Sequence, residues 1–281
     1  MPKKKVGYLG PKGTFSYAAF ELYAKKHAEI EAVPVPTIAD LYVLLDSDQL
    51  DQALIPIENS IEGSVTDSMD NLARANLLFI KNELRVPVRH CLMSKTSLPL
   101  DQIQLVLSHH QPLAQCQNYL HENVAQALTR PVSSTAFAAE MISSLNMEDN
   151  AYSAIIGDQS LSRIYDLKIL AEEINDYKHN VTRFVVLSKE KTDATNNDKT
   201  SIVFAAQKDQ PGSLYEILGE FARRNINLTR ITSRPTKQYL GEYLFFIDFE
   251  GHKKNPLINE ALEAVQTRTS FYRWLGSYPK D

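Results

Sequence analysis

The chain has 281 residues, of which 43% are hydrophobic and 23% charged, and its formal net charge is -4. The length suggests about two domains, and the composition is that of an ordinary globular protein. The charge offers no basic surface for nucleic acid, no apolar run approaches the roughly 18 residues that span a membrane, and the N-terminus lacks the apolar core of a secretion signal. Cys91 and Cys116 have neither metal-like nor disulfide-like spacing, so we expect a reduced, cytoplasmic protein.

The segment 1–188 alternates short apolar runs with amphipathic runs, a pattern that predicts an α/β domain with a largely parallel sheet. Strands are predicted at 5–10, 52–58, 104–110, 151–158 and 182–188, and helices at 15–23, 37–45, 112–122 and from Ser134 or Thr135 onward. The stretch 77–94, LLFIKNELRVPVRHCLMS, would carry the chain into a second α/β lobe. The sequence therefore predicts a two-lobed domain with a cleft between the lobes.

The segment 189–199 is polar and almost free of apolar side chains, so we expect it to be a linker. Beyond it, the segment 200–281 has the order strand, helix, strand, strand, helix, strand. That order is the βαββαβ arrangement of ferredoxin-like domains. Its helices would cover one face of the sheet and leave edge strands free to pair with another copy of the chain.

Polar side chains gather directly after the predicted strands of the first domain, in the segments 10–16, 58–64, 108–111 and 133–135. Ligands of open α/β sheets bind at the carboxyl ends of the strands, where helix N-termini present free backbone N–H groups. We therefore expect the ligand to be a small anion, held by neutral donors more than by arginines.

Two of these segments have alternative interpretations. The segment 10–14 lacks the spacing of a nucleotide-binding loop, and a tight turn with Thr14 as N-cap explains it equally well. Adjacent side chains of a strand point to opposite sides, so His109 and His110 would not share a metal ion. No Cys, Asp or Glu stands near them at ligand spacing, and we therefore predict no metal site.

Five motifs of the first domain occur in the order in which prephenate dehydratases carry them: GYLGPKGTFSYAA, IPIENSIEGSV, SHHQPLAQC, SSTAFAAE and NVTRFVVL. The second domain resembles the ACT regulatory domain of those enzymes, with GSLYEIL similar to their Gly-Ala-Leu motif and NLTRITSRP similar to their Glu-Ser-Arg-Pro motif. The resemblance covers almost the whole chain. It implies an α/β protein with a two-lobed, periplasmic-binding-protein-like catalytic domain (1–188), a linker (189–199) and a ferredoxin-like βαββαβ ACT domain (200–281).

The resemblance also implies an activity and its regulation. Prephenate dehydratases convert prephenate to phenylpyruvate, with loss of water and carbon dioxide, in L-phenylalanine biosynthesis, and they use no cofactor. Their effector L-phenylalanine binds between the ACT domains of paired subunits, so we expect a homodimer or homotetramer. Two alternatives stay open: arogenate dehydratase, whose substrate has an amino group in place of the keto group, and a non-catalytic sensor of small anions and amino acids.

By position in these motifs, Thr182 resembles the threonine that donates to the leaving hydroxyl group. The catalytic set that the resemblance implies is completed by Asn59, Ser108 and Gln115, which orient the substrate or support the site. The substrate-binding positions that it implies are Thr14, Glu58, Ser60, His109, Ser134, Thr135 and Phe184, the last as an apolar wall for the ring. The phenylalanine-binding positions that it implies are Gly212, Ser213, Leu214, Asn227, Ser233, Arg234 and Pro235.

The chain departs from the family at two of these motifs. His110 stands where relatives usually have proline, which loosens that turn but removes no obvious donor. Thr232 stands in place of the glutamate of the Glu-Ser-Arg-Pro motif, which puts the strength of regulation in question.

Strand alternation refines the interpretation of the motif NVTRFVVL. It places Thr182 and Phe184 on one face and Arg183 on the other, where we expect a salt bridge or a surface position. Asn180 would lie on the Thr182 side and hold the threonine in place.

Overall fold

The computed structural model describes residues 3–27, 29–144, 151–207, 210–237 and 241–281, which form three β-sheets with helices around them. Two sheets belong to the two lobes of the first domain, and the third belongs to the C-terminal domain. Among the described helices, none is long and apolar enough to cross a membrane.

Lobe 1 combines the N-terminal part of the first domain with its last strand. It contains β1 (Lys4–Leu9), α1 (Phe15–Ala24), β2 (Ile30–Val35), α2 (Ile38–Asp46), β3 (Gln52–Asn59), β4 (Gly63–Ser64), α3 (Thr66–Arg74), β5 (Phe79–Pro87) and β11 (Val181–Ser188). Its sheet has the order β2-β1-β3-β11-β5, with β4 paired to β3. The strands β1, β2 and β3 are parallel, whereas β11 runs antiparallel to both of its neighbours.

Lobe 2 lies between β5 and β11 in the chain. It contains β6 (Cys91–Ser94), a 3-10 turn (Leu100–Gln102), β7 (Leu105–Ser108), α4 (His110–Gln115), α5 (Gln117–Asn123), β8 (Leu128–Pro131), α6 (Thr135–Ser144), β9 (Ser153–Gly157), α7 (Ser160–Tyr165) and β10 (Lys168–Ala171). Its sheet has the order β10-β6-β9-β7-β8. The strands β7, β8 and β9 are parallel, and β6 runs antiparallel to both of its neighbours.

The two-lobed architecture was predicted correctly, but the sheets are mixed and not largely parallel. The strand that follows each crossover between the lobes, β6 or β11, enters its sheet in the reverse direction. The helix predicted at 112–122 is two helices, α4 and α5, because Cys116 between them has φ -123° and ψ 19°. Thr14 and Thr37 accept backbone N–H groups of α1 and α2, as expected of N-caps.

The C-terminal domain has the predicted βαββαβ order. It contains β12 (Asp198–Ala206), α8 (Ser213–Ala222), β13 (Leu228–Pro235), β14 (Tyr243–Glu250), α9 (Pro256–Gln266) and β15 (Thr269–Pro279). Its antiparallel sheet has the order β13-β14-β12-β15. Helices α8 and α9 cover one face of this sheet, where they share a core that includes Phe204, Phe221, Ile247 and Leu262.

The opposite face of this sheet packs against lobe 1. Side chains of both domains share one core, among them Leu72, Ile80, Val203, Phe246 and Leu275. The strand β12 begins at Asp198, inside the segment 189–199, and Thr192 of that segment donates through Oγ1 to the carbonyl of Lys81. The chain between the two domains is therefore held against lobe 1.

Four charged side chains lie at this interface, three of them buried and Arg183 largely so, and we call them the interdomain ion cluster: Glu83 on β5, Arg183 on β11, Lys199 on β12 and Asp248 on β14. Arg183 Nε lies 2.8 Å from Glu83 Oε2, and its Nη1 lies 2.5 Å from Asp248 Oδ2. Lys199 Nζ lies 2.7 Å from Glu83 Oε1. Of the two expectations for Arg183, a salt bridge or a surface position on the face away from Thr182, the structure shows the salt bridge.

Candidate active site

Two chain segments connect the lobes and form the floor of the cleft. The segment 88–90 leads from β5 to β6, and the segment 172–180 leads from β10 to β11. The N–H group of Val88 donates to the carbonyl of Asn180 at 2.8 Å, and that of Ile174 donates to the carbonyl of His90 at 3.0 Å. These bonds hold the two crossovers side by side, so residues of both lobes meet at the floor.

Thr182 lies opposite Asn59 in the pairing of β11 with β3. Asn59 Nδ2 donates to Thr182 Oγ1 at 3.0 Å and to Asn180 Oδ1 at 2.7 Å. Asn59 Oδ1 accepts the backbone N–H groups of Ile61 and Glu62 at 2.9 and 3.0 Å, and these groups can only donate, so the orientation of the amide is settled. Thr182 Oγ1 is therefore an acceptor toward Asn59. Its O–H group donates to no group within the described residues and is left for a ligand.

Asn180 and Gln115 continue these hydrogen bonds into lobe 2. Asn180 is 3% exposed and donates through Nδ2 to Gln115 Oε1 at 2.9 Å. Gln115, the last residue of α4, donates through Nε2 to Glu62 Oε1 at 3.1 Å. Asn180 thus holds Thr182 through Asn59 and not directly. We call Thr182, Asn59, Asn180 and Gln115 the amide chain, which joins the two lobes across the cleft.

Other predicted site residues lie where strands end or helices begin in the two lobes. Ser108 is fully buried and donates through Oγ to the carbonyl of Ile156 at 2.6 Å, which ties β7 to β9. Ser134 accepts a backbone N–H group of α6, whose first residue is Thr135, just as Thr14 accepts one of α1. The remaining N–H groups in the first turn of each helix have no partner within the helix, so both helix ends suit a carboxylate.

His109 and His110 lie at the start of α4 and not in a strand. Their ring centroids are 4.0 Å apart, so the prediction that the two side chains point to opposite sides is wrong. Burial, together with the neighbouring His110, lowers the pKa of His109 and favours its neutral form. In the described ranges, no three or more His, Cys, Asp or Glu side chains are grouped to hold a metal ion.

Three residues predicted to bind substrate have other contacts. Glu58 faces the C-terminal domain, where its Oε2 lies 3.1 Å from Arg230 Nε. Successive side chains of β3 point to opposite faces of the sheet, and Asn59 occupies the cleft side. Phe184 is 1% exposed and packs in the core beneath α1, so it forms no open wall of the cleft. Ser60 uses its Oγ to bind the backbone at the start of β11.

The residues predicted to bind phenylalanine lie at two ends of the C-terminal domain. Gly212 has φ 91° and precedes α8, whose first turn contains Ser213 and Leu214. The strands β12 and β13 both run antiparallel to β14, so they are parallel to each other. The segment 233–235 (Ser233, Arg234 and Pro235) at the end of β13 therefore lies at the same end as Gly212, whereas Asn227 lies at the opposite end.

The strand β13 also contacts lobe 1 near the candidate active site. Arg234 Nη2 lies 3.3 Å from Asp70 Oδ1, and Lys237 Nζ lies 2.5 Å from Asp70 Oδ2. Burial raises the pKa of Asp70, but these two cations outweigh it and hold the pKa below its ordinary value. Asp70 belongs to α3, the helix that follows the loop after Asn59. Ionic contacts therefore connect the predicted effector motif to the element next to the cleft.

Comparisons with known proteins assign the chain to a family. A family model described as prephenate dehydratase matches residues 6–192, and one described as ACT domain matches residues 200–266. The first match covers more than half of the chain. The chain belongs to the prephenate dehydratase family.

Similar members of the prephenate dehydratase family span almost the whole chain. The prephenate dehydratase of Methanocaldococcus jannaschii is 39% identical over 279 residues, which are 98% of this chain and 98% of that protein. Arogenate dehydratase/prephenate dehydratase 2 of Arabidopsis thaliana is 36% identical over 288 residues, with coverage of 99% and 73%. The structure of prephenate dehydratase from Arthrobacter aurescens in complex with L-Phe matches with a TM-score of 0.89 at 35% identity, covering 98% of this chain and 90% of that chain.

The motifs shared with prephenate dehydratases did not single out two residues that reach the cleft floor. Glu62 accepts the hydrogen bond of Gln115, and His90 Nε2 lies 3.0 Å from Gln115 Oε1. Glu62 lies inside the quoted motif IPIENSIEGSV but was given no role. The signal for His90 is a histidine directly before the buried strand β6, a pattern that does not distinguish a site residue from a core histidine.

Proposed function

We propose that this protein catalyses the decarboxylating dehydration of prephenate to phenylpyruvate. The observation that carries the proposal is the hydroxyl of Thr182, which stands at the cleft with its oxygen held by Asn59 and its proton free to donate. Membership of the family suggests which reaction is catalysed, and the Thr182 hydroxyl provides a hydrogen-bond donor for the leaving hydroxyl group.

In this reaction most of the driving force comes from the substrate. The electron pair of the bond to the departing carboxylate moves into the ring, the bond to the hydroxyl group breaks, and the ring becomes aromatic. The carboxylate departs as carbon dioxide, and the leaving hydroxide takes up a proton from solvent and departs as water. The protein has to orient the dianion and stabilise the charge that develops on the leaving oxygen.

Thr182 suits the second task. A threonine hydroxyl is a weak acid, so its contribution is a positioned hydrogen bond to the leaving oxygen more than a full proton transfer. Asn59 donates to Thr182 Oγ1, which turns the O–H group away from Asn59 and makes it a better donor through cooperative polarisation.

The first task, binding the dianion, falls to neutral donors. The N-termini of α1 and α6 present backbone N–H groups beside Thr14, Ser134 and Thr135, and each suits one carboxylate. Gln115 offers an amide N–H group from lobe 2. Phe184 supports the strand that carries Thr182 from within the core, and Ser108 holds the strand ends of lobe 2 in place.

Arogenate is the second candidate substrate, because an arogenate dehydratase/prephenate dehydratase is among the similar relatives. Arogenate differs from prephenate only in the side chain, where an ammonium group replaces the keto oxygen. Parallel assays of the purified protein with prephenate and with arogenate distinguish the two by their kcat/KM values. Binding of either compound without turnover would instead support the non-catalytic sensor.

The test of the mechanism is the variant Thr182→Ala, compared with the exposed strand residue variant Thr129→Ala as a matched control. We expect Thr182→Ala to lower kcat by roughly 100-fold or more, the range seen when one donor to a developing oxyanion is removed, and Thr129→Ala to leave kcat unchanged. Absence of turnover by the unmodified protein contradicts the proposed function. Undiminished turnover by Thr182→Ala contradicts only the role of Thr182.

We further propose that L-phenylalanine regulates the protein at a site shared by two copies of the C-terminal domain. The strand β13 is the edge strand of its sheet, so it is available for pairing. Two-fold antiparallel pairing of two β13 strands would set the Asn227 end of one copy beside the Gly212 end of the other. The start of α8 then supplies N–H groups for the carboxylate of phenylalanine.

This regulatory proposal predicts that oligomeric state and inhibition depend on the same edge. Light scattering should give the mass of a dimer or a multiple of it, and phenylalanine should inhibit turnover. Asn227→Ala should weaken inhibition about 10-fold or more, the scale of one lost hydrogen bond at a buried site, while Asn123→Ala on α5 should not. A monomer that responds normally to phenylalanine would contradict the proposal.

The proposal also covers the domain boundaries and the location of the protein in the cell. We propose that 1–188 is the catalytic domain, 189–199 the connecting segment and 200–281 the regulatory domain. We also propose a cytoplasmic location, because both cysteines are buried free thiols, which fits a reducing compartment.

A further inference from the structure

His90 lies in the first crossover and is almost completely buried, with 1% of its surface exposed. Its ring stands edge-on to Phe15 of lobe 1, with 5.2 Å between the ring centroids and 80° between the planes. Its backbone N–H group donates to Asn175 Oδ1 in the second crossover at 2.7 Å. The ring is therefore held in one position where both lobes and both crossovers meet.

The direction of the amide chain determines which ring nitrogen carries the proton. Backbone N–H groups donate into Asn59 Oδ1, so Asn59 donates to Asn180, and Asn180 in turn donates to Gln115 Oε1. The atom of Gln115 that lies 3.0 Å from His90 Nε2 is thus a carbonyl oxygen, which can only accept. His90 therefore donates from Nε2–H.

The other ring nitrogen, Nδ1, is then unprotonated, and it is buried without a hydrogen-bond partner among the described residues. Burial lowers the pKa of His90, with Gln115 opposing the shift, so the neutral form is favoured. A histidine that serves only as packing has no need of a specific tautomer. Here the tautomer is dictated by the residues that the proposed function places at the site.

We propose that His90 is a positioning residue that acts on the reaction through Gln115. Two donors, His90 Nε2–H and Asn180 Nδ2–H, converge on Gln115 Oε1 and leave the NH2 end of this amide facing Glu62 and the cleft. In this orientation one N–H group of Gln115 donates to Glu62 Oε1, and the other is presented to a substrate carboxylate. Without His90 one of the two donors to Gln115 Oε1 is lost, and Asn180 alone holds this end of the amide. The proposal rests on the proposed function.

Two substitutions separate this role from packing. The side-chain amide nitrogen of His90→Gln reaches the place of Nε2 and can still donate to Gln115, whereas the shorter amide of His90→Asn reaches only the place of Nδ1. We expect His90→Gln to keep kcat/KM for prephenate within about threefold of the unmodified protein and His90→Asn to lower it about 10-fold or more. Urea unfolding of both variants checks that each is folded.

A double-variant cycle tests the route through Gln115. In the Gln115→Ala background, His90→Asn should cause less than about a twofold further loss, because the side chain that it orients is absent. A full further loss in that background would overturn the proposal, since His90 would then act on the substrate directly. Equal losses in His90→Gln and His90→Asn, or no loss in either, would also overturn it and leave His90 a packing residue.

A measurement without turnover keeps the proposal separate from the proposed function. Nitrogen NMR of the ring should show the Nε2–H tautomer of His90 at neutral pH and a change in its signals in Gln115→Ala. A protonated ring or an Nδ1–H tautomer would overturn the positioning role. Failure of the unmodified protein to turn over prephenate or arogenate, with the Nε2–H tautomer present, would instead contradict the proposed function.

Discussion

Replacement of Arg183 by methionine tests whether the interdomain ion cluster holds the two domains together. The cluster contains two cations and two anions, so it is balanced as it stands. Burial lowers the pKa of Arg183, but Asp248 and Glu83 outweigh it, and the pKa is raised above its ordinary value. Arg183→Met leaves the buried carboxylate of Asp248 without its ion-pair partner, with Arg230 as the remaining cation nearby, and it removes the donor to Tyr278 Oη as well.

The expected loss follows from burial. The side chains of Arg183, Glu83 and Asp248 are 11%, 0% and 5% exposed, so solvent screening is weak. Removal of one partner of such a buried pair costs about 3–5 kcal/mol, which is a large part of the roughly 5–15 kcal/mol that stabilises a typical domain. Arg183→Met should therefore lower the free energy of unfolding by about 3–5 kcal/mol.

Urea unfolding followed by circular dichroism measures this loss. Arg89 pairs with Glu173 at the surface, where the two side chains are 68% and 63% exposed, so Arg89→Met should cost less than about 1 kcal/mol and serves as the matched control. The double variant Arg183→Met/Asp248→Asn removes the uncompensated charge and should be more stable than the sum of the single variants predicts. Two results would refute the reasoning: a loss in Arg183→Met as small as that in the control, or strict additivity in the double variant.

Three further predictions concern the cleft, pH and the thiols. In Gly13→Ala, the added Cβ would meet Leu161 Cδ2 of the other lobe at 2.5 Å, and the backbone φ of 91° would be strained for alanine. We therefore expect KM for prephenate to rise several-fold and the free energy of unfolding to fall by about 1–3 kcal/mol. Adding Leu161→Ala to Gly13→Ala should restore KM but not stability. Burial lowers the pKa of His90, so the unfolded chain binds more protons than the folded protein just below pH 6.5. The free energy of unfolding should therefore fall as pH decreases through that range, and it should fall less steeply in His90→Gln. Burial raises the pKa of Cys91 to about 11 and raises that of Cys116 further. Neither thiol should therefore react with a disulfide reagent at pH 8 until urea unfolds the protein. Fast labelling of the native protein would contradict this burial.

Features that depend on neighbouring residues could be read from the sequence. The order of strands and helices follows from hydrophobic periodicity, and Thr14 and Thr37 mark helix starts because a cap acts within three residues. The opposite directions of Thr182 and Arg183 follow from strand alternation alone, whatever the partners prove to be. The family motifs added the candidate residues at the cleft.

What the tertiary structure decided is which distant residues meet. Asn59 and Asn180 are 121 positions apart, and Arg183 and Asp248 are 65 apart, so no local period connects them. The packing of the two crossovers and of the C-terminal sheet likewise decides three other features: the antiparallel direction of β6 and β11, the ion-pair partner of Glu58, and the position of His90. Periodicity in the sequence predicts on which side of its own helix or strand a residue lies. Only the packing of separate elements determines which residues lie against that side.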